Sequence, residues 1–173
     1  MKKILALTAA MAISSAAFGA NVKASKFGVD FSYANQLPTL GVMWHVTDMI
    51  ALRPSLGFSS TTTDPNTGST TVLNFGIAVP IYLANFNALD LYVAPGFTYK
   101  STNTKPATGS STTASDIGVT AALGLQVKVT DQLHLFGEMG LGYTGSNNGG
   151  SPAAKSTVIA TGTTSIGATF YFN

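Results

Sequence analysis

Two histidines and a thin scatter of ions are what this 173-residue chain offers for chemistry. His45 and His134 each carry an imidazole suited to proton transfer near neutral pH. With Asp48 or Glu138 beside one of them, the pair would form a His–carboxylate dyad. Cysteine is absent, so there is no thiolate nucleophile, no disulfide framework and no thiolate metal site. Two histidines without cysteine make no convincing metal site, and no cofactor is expected. The other ions that fall on candidate strand faces are Asp30, Arg53, Asp90, Lys100, Lys128 and Glu138, three acids against three bases.

The elements that must position these groups are set by composition and period. Charged residues are 9% of the chain, where soluble domains average about 25%. Hydrophobic residues are 45%, which excludes a disordered chain as well. At the N-terminus Lys2 and Lys3 precede an apolar run at 4–13, shorter than the roughly 20 residues a membrane helix needs. Ala17 and Gly19 fit a small-x-small cleavage rule, so residues 1–19 read as a secretory signal and 20–173 as one mature domain. Without Lys2 and Lys3, the 9 Lys and Arg fall to 7, against 7 Asp and Glu. No basic patch remains to recognise nucleic acid.

The mature sequence alternates with a period of two. Ile117, Val119, Ala121, Leu123, Leu125, Val127 and Val129 oppose Gly118, Thr120, Ala122, Gly124, Gln126 and Lys128. Leu73, Phe75, Ile77, Val79, Ile81 and Leu83 oppose Asn74, Gly76, Ala78, Pro80 and Tyr82. Eight such segments follow one another, near 26–34, 39–47, 50–61, 71–84, 89–101, 115–129, 133–145 and 156–172. Short connections follow the second, fourth and sixth. Longer Ser-, Thr-, Asn- and Gly-rich ones follow the third, fifth and seventh, at 61–71, 101–114 and 145–156. Val46-Thr47-Asp48 and Val129-Thr130-Asp131 each close a falling strand, so the repeat unit is one hairpin. The fold class expected is all-β: an eight-stranded antiparallel up-and-down transmembrane β-barrel. Pro54, Pro80 and Pro95 lack a ladder donor, and bulges or missing hydrogen bonds are expected beside them.

The polar faces are mostly Gly, Ala, Ser and Thr, which carry too little charge to meet bulk water but fit inside a narrow barrel. The apolar faces suit acyl chains. Closure satisfies every backbone polar group in hydrocarbon. The six ions therefore point into the lumen, and Glu138 is expected to pair with Arg53 or Lys128. Such a cluster either plugs the barrel or acts as a gate or selectivity filter; the plug is the expectation. Tyr33, Phe58, Tyr99 and Tyr143 lie near the long-loop ends and Trp44 near a short turn, as aromatic girdles do.

The final strand runs Ser165-Ile166-Gly167-Ala168-Thr169-Phe170-Tyr171-Phe172-Asn173. It resembles the C-terminal signal of Gram-negative outer membrane proteins, with Ser165, Gly167, Phe170 and Phe172 at the matching positions. Asn173 follows where most relatives end on the aromatic. The mature chain as a whole resembles the outer membrane β-barrel family that includes OmpX-like and opacity-like proteins and the OmpA barrel domain. The resemblance implies residence in the outer membrane lipid, recognition by the barrel assembly machinery, and hydroxyl-rich loops at 61–71, 101–114 and 145–156 that would meet any extracellular partner. Lipid A deacylases of this group carry a Ser two residues after the catalytic His. Phe136 stands there after His134 and Thr47 after His45, so catalysis is not expected. A structural and surface-interaction role is the expectation, with a passive small-solute or ion channel and, third, a membrane enzyme as alternatives.

Overall fold

The computed structural model describes residues 27–34, 37–64, 68–149 and 154–172. The expected signal segment, 1–19, lies outside them. The strands are β1 (Phe27–Ala34), β2 (Leu37–His45), β3 (Ala51–Asp64), β4 (Gly68–Ala78), β5 (Ile81–Phe86), β6 (Leu89–Lys105), β7 (Thr112–Lys128), β8 (Leu133–Asn147) and β9 (Lys155–Phe172). All pair antiparallel with their sequence neighbours, apart from β4 and β5, which both pair with β6 as two halves of one stave. β1 closes the ring on β9, in register from Phe27↔Phe172 to Ala34↔Ser165. The molecule is thus a closed eight-stave, up-and-down barrel.

Exposure alternates as the period of two demands. On β7, Leu123 and Leu125 are 50% and 47% exposed, while Gln126 is 2%. Leu135 and Met139 on β8 face outward, and His134 and Phe136 are buried. Ile77 on β4 is half-buried. An apolar exterior around a polar interior is the inverse of a soluble barrel, and acyl chains are the solvent it fits. Tyr33, Trp44, Phe58, Tyr99 and Tyr143 all stand exposed on the outer wall.

The prolines act locally. Pro80 splits β4 from β5. Pro54 keeps its pairing with Ile77 on β4, but the β2–β3 ladder skips from Gly41↔Ser55 to Trp44↔Leu52 beside it. Pro95 keeps Ala121 on β7, and on its other side the pairing breaks between Ala78↔Gly96 and Ile81↔Val93. Each of these two retains one ladder and interrupts the edge where its missing N–H would have donated.

The long loops differ from the expectation. Of the described residues, most of 61–71 and of 101–114 are strand, and 145–156 begins and ends in strand, because β3–β4, β6–β7 and β8–β9 continue above the apolar band. Thr and Ser favour the extended backbone and pair across strands, as Asn103 Nδ2 does with Thr113 Oγ1 at 2.9 Å. At the opposite end the turns are tight. Thr47 Oγ1 accepts from the Met49 and Ile50 amides at 3.2 and 3.0 Å. Thr130 repeats this with Gln132 and Leu133 at 3.3 and 2.9 Å.

The β5–β6 turn depends on Asn87, which adopts φ 60°. Asn tolerates this left-handed geometry better than other side-chain-bearing residues. Asn87→Gly is predicted to leave stability nearly unchanged. Asn87→Val is predicted to lower it by about 1–2 kcal/mol. Urea unfolding of the barrel in detergent micelles, followed by fluorescence, measures both.

Candidate functional site

Among the described residues the lumen is where this fold gathers polar chemistry away from water, and its turn-side half is filled by side chains. Tyr82, Tyr92 and Tyr171 project inward from β5, β6 and β9, and all three are buried. Tyr82 Oη donates to Gln126 Oε1 at 2.8 Å, and Gln126 Nε2 donates to Tyr171 Oη at 3.2 Å. His45 Nε2 lies 3.0 Å from Tyr171 Oη. The His45 ring stacks on Tyr82, with centroids 5.4 Å apart, and His134 meets Tyr171 edge-on at 4.7 Å. Both histidines are therefore parts of an aromatic plug. Neither forms a His–carboxylate hydrogen bond among the described residues: Asp48 is in an exposed turn, and Glu138 is engaged elsewhere.

Above that layer Arg53 Nη2 donates to both carboxylate oxygens of Glu138, at 2.6 and 2.8 Å. Tyr92 Oη donates to Glu138 Oε1 at 2.9 Å. The Arg53 guanidinium sits 4.9 Å from the Phe136 ring centroid. Among the described residues its buried Nη1 has no acceptor, and the aromatic face beside the cation offsets part of that deficit. Asp30, 1% exposed, accepts from Thr169 Oγ1 at 3.3 Å. Buried charges survive only when paired and hydrogen-bonded, and these groups supply that to one another.

Two glycines make the rings fit. Gly124 faces Tyr92 across the β6–β7 ladder, and a Cβ there would lie 2.2 Å from Tyr92 Cζ. Gly167 faces Phe136 across β8–β9, and a Cβ would lie 2.6 Å from Phe136 Cζ. In each case a large ring lies flat over a residue with no side chain.

The six ions do not form one cluster. Arg53 and Glu138 pair in mid-lumen with Asp30 beside them. Lys128 stands at the turn-side rim and binds Asp131 at 2.7 Å, not Glu138. That contact, a hydrogen bond reinforced by the ammonium charge, holds the exposed Asp131 carboxyl below the usual carboxylate range. Asp90 accepts from Asn85 near the same rim. Lys100 lies at the hairpin end, half-exposed and 4.0 Å from Asp116. Asp116 is absent from the six ions expected inside, although it shares the parity of Gly118 and Gln126 on β7. What the sequence withheld was which of these inward groups meet across the barrel.

The hairpin-side half holds a cavity of about 100 Å³. Its walls are Ser32, Thr39, Ser55, Asn74, Thr98 and Thr120, and its floor is Asp30, Arg53 and Glu138. Ser165 lines it as well, whereas Phe170 and Phe172 of the last strand face outward and touch edge-to-face at 5.7 Å. Among the described residues no group of three or more His, Cys, Asp or Glu side chains is placed to hold a metal.

A family model described as the outer membrane protein beta-barrel domain matches residues 4–172. No curated protein matches the sequence. Among solved structures, a major outer membrane protein from Thermus thermophilus is similar at 12% identity and TM-score 0.51, covering 86% of this chain and 100% of that one. Ail, the attachment invasion locus protein of Yersinia pestis, gives 10% identity and TM-score 0.47 over 84% of this chain and 93% of its own. The N-terminal β-barrel domain of Pseudomonas aeruginosa OprF gives 16% and 0.45 over 84% and 95%. The Thermus likeness is one of fold.

Removing one partner of the central pair strands the other in the lumen. Arg53→Ala and Glu138→Ala are each predicted to cost about 3–5 kcal/mol. The double variant Arg53→Ala/Glu138→Ala is predicted to lose less than the sum of the two. A double-mutant cycle in urea measures the coupling, and strictly additive losses would show that the pair does not act as a unit.

Proposed function

The chain belongs to the outer membrane protein beta-barrel domain family and lies in the Gram-negative outer membrane, and from that premise we propose a structural and surface-interaction role with a closed lumen. The observation that carries this reading is the continuous floor of Arg53, Glu138 and Tyr92 over the Tyr82–Gln126–Tyr171 layer. A solute entering from the hairpin side meets paired charges and packed rings before it reaches the turns. In this reading the outer wall binds lipid, and the hydroxyl-rich hairpins face the outside of the cell and meet its partners. Ser165, Gly167, Phe170 and Phe172 serve as the signal for the assembly machinery. His45 and His134 hold the plug together and are assigned no catalytic part.

A passive channel is the second reading, favoured by the cavity above the floor. Eight staves leave a bore that side chains fill, so conduction would require the Arg53–Glu138 pair to part. Purified protein in planar bilayers separates the two. The closed-lumen reading predicts no steady single-channel steps from the native barrel and a measurable leak from folded Glu138→Ala. Regular conductance steps from the native protein would overturn it in favour of the channel.

A further inference from the structure

The charges in the hairpin-side half of the lumen do not cancel. At its mouth Lys100 stands 4.0 Å from Asp116, one cation to one anion. On the floor Arg53 gives Nη2 to both oxygens of Glu138, and Asp30 lies beside them as a second carboxylate. Among the described residues Asp30 forms no ion pair of its own. Its Oδ2 accepts from the neutral Thr169 hydroxyl at 3.3 Å, and the residue is 1% exposed. Two acids against one base leave one negative charge at the base of the cavity. A buried charge without a counter-charge costs several kcal/mol. Either a proton or a cation must answer it.

A proton needs no space, and this chain leaves space. The cavity of about 100 Å³ that Asp30 lines has room for about three water-sized occupants, at roughly 30 Å³ each. Ser32 follows Asp30 on the same face of β1, and Thr39 of β2 pairs with it in register. Thr39 Oγ1 donates to the Ser32 carbonyl at 3.2 Å, so Ser32 Oγ donates to Thr39 Oγ1 at 2.6 Å. Both hydroxyl hydrogens are spent within the wall. The remaining lone pairs of Ser32 Oγ are left for a positive partner. The other polar walls are oxygen donors too, the Ser55, Thr98 and Thr120 hydroxyls and the Asn74 carboxamide. Oxygen donors around a carboxylate suit hard cations. The net charge then selects the valence: one positive charge balances the floor, whereas a divalent ion would leave an excess of one.

We propose that the hairpin-side cavity is a binding site for one monovalent alkali cation, held by the Asp30 carboxylate and the Ser32 hydroxyl. Water carries its remaining coordination to the other hydroxyls of the wall. The ion enters from the hairpin mouth and stops at the Arg53–Glu138 floor. It completes the charge balance of the lumen, so the barrel responds to the cations outside the cell. The charge count is the same with the floor open or closed, so this site stands apart from the bilayer conductance result.

The test uses the full barrel in nanodiscs at neutral pH, with N-methylglucamine chloride as the only salt. That organic cation is too large for the cavity. Sodium chloride replaces it stepwise at constant ionic strength, and NMR shifts are read at the Asp30, Ser32 and Thr39 amides. They are expected to move saturably, with half-saturation in the millimolar range, and to do the same with potassium. In Asp30→Asn the apparent affinity is expected to fall at least about tenfold, because the charge that the cation balances is gone. Ser32→Ala, which keeps the charge and removes one ligand, is expected to bind several-fold more weakly. Heat-modifiable gel migration confirms that each variant folds. In saturating sodium the Asp30 carboxyl carbon is expected at the shift of an ionised acid. A protonated shift there overturns the proposal. So do amide shifts that never saturate, or an affinity that both variants leave unchanged. Saturation by calcium at a lower concentration than by sodium overturns the monovalent assignment.

Discussion

Hydrocarbon offers no hydrogen bonds, and each unpaired N–H or C=O placed in it costs several kcal/mol. Everything else in this molecule follows from meeting that constraint with strands. The ring must close, as β1 does on β9. The side chains must then sort by parity, apolar toward lipid and polar toward the axis. At Pro54 and Pro95 the lost donor damages one edge of one ladder, and at Pro80 the stave divides into β4 and β5. Where the wall rises beyond the membrane the constraint lapses.

Closure creates a second problem, because a narrow lumen excludes bulk water from whatever faces it. The chain solves it differently in its two halves. Toward the turns, rings and hydrogen-bonded hydroxyls fill the space, with Gly124 and Gly167 making room for Tyr92 and Phe136. In the middle Arg53 and Glu138 neutralise each other, and Tyr92 takes up further acceptor capacity on Glu138. Toward the hairpins small hydroxyl side chains leave a cavity. Stability and a blocked bore thus come from the same contacts.

The barrel is legible in the sequence because parity is a local property. Leu123 and Gln126 declare opposite faces from their neighbours alone, and eight such runs in succession leave few folds to choose from. The outward aromatics are legible for the same reason. The lumen contacts are not, since they depend on stagger around the ring, which no single strand encodes. Glu138 has two candidate cations, and only the register puts Arg53 across from it and leaves Lys128 at the rim beside Asp131. The hairpins run longer than the sequence suggests because Ser and Thr runs share the composition of loops. In a paired hairpin those residues are good strand formers, and β6 accordingly runs to Lys105 and β7 begins at Thr112.

Which way the apolar face of a single strand looks is the most direct question to put to this architecture. The chain has no cysteine, so single spin labels can be placed along β7 at Val119, Leu123 and Leu125 on one face and at Thr120 and Ala122 on the other. In bilayers, relaxation by molecular oxygen, which concentrates among acyl chains, should be strong at the first three positions and weak at the other two. A water-soluble nickel chelate should fail to reach Leu123 and Leu125. The opposite alternation, with Leu123 shielded from oxygen and Ala122 open to it, would mean that the greasy face lines the interior, and the barrel would have to be turned inside out.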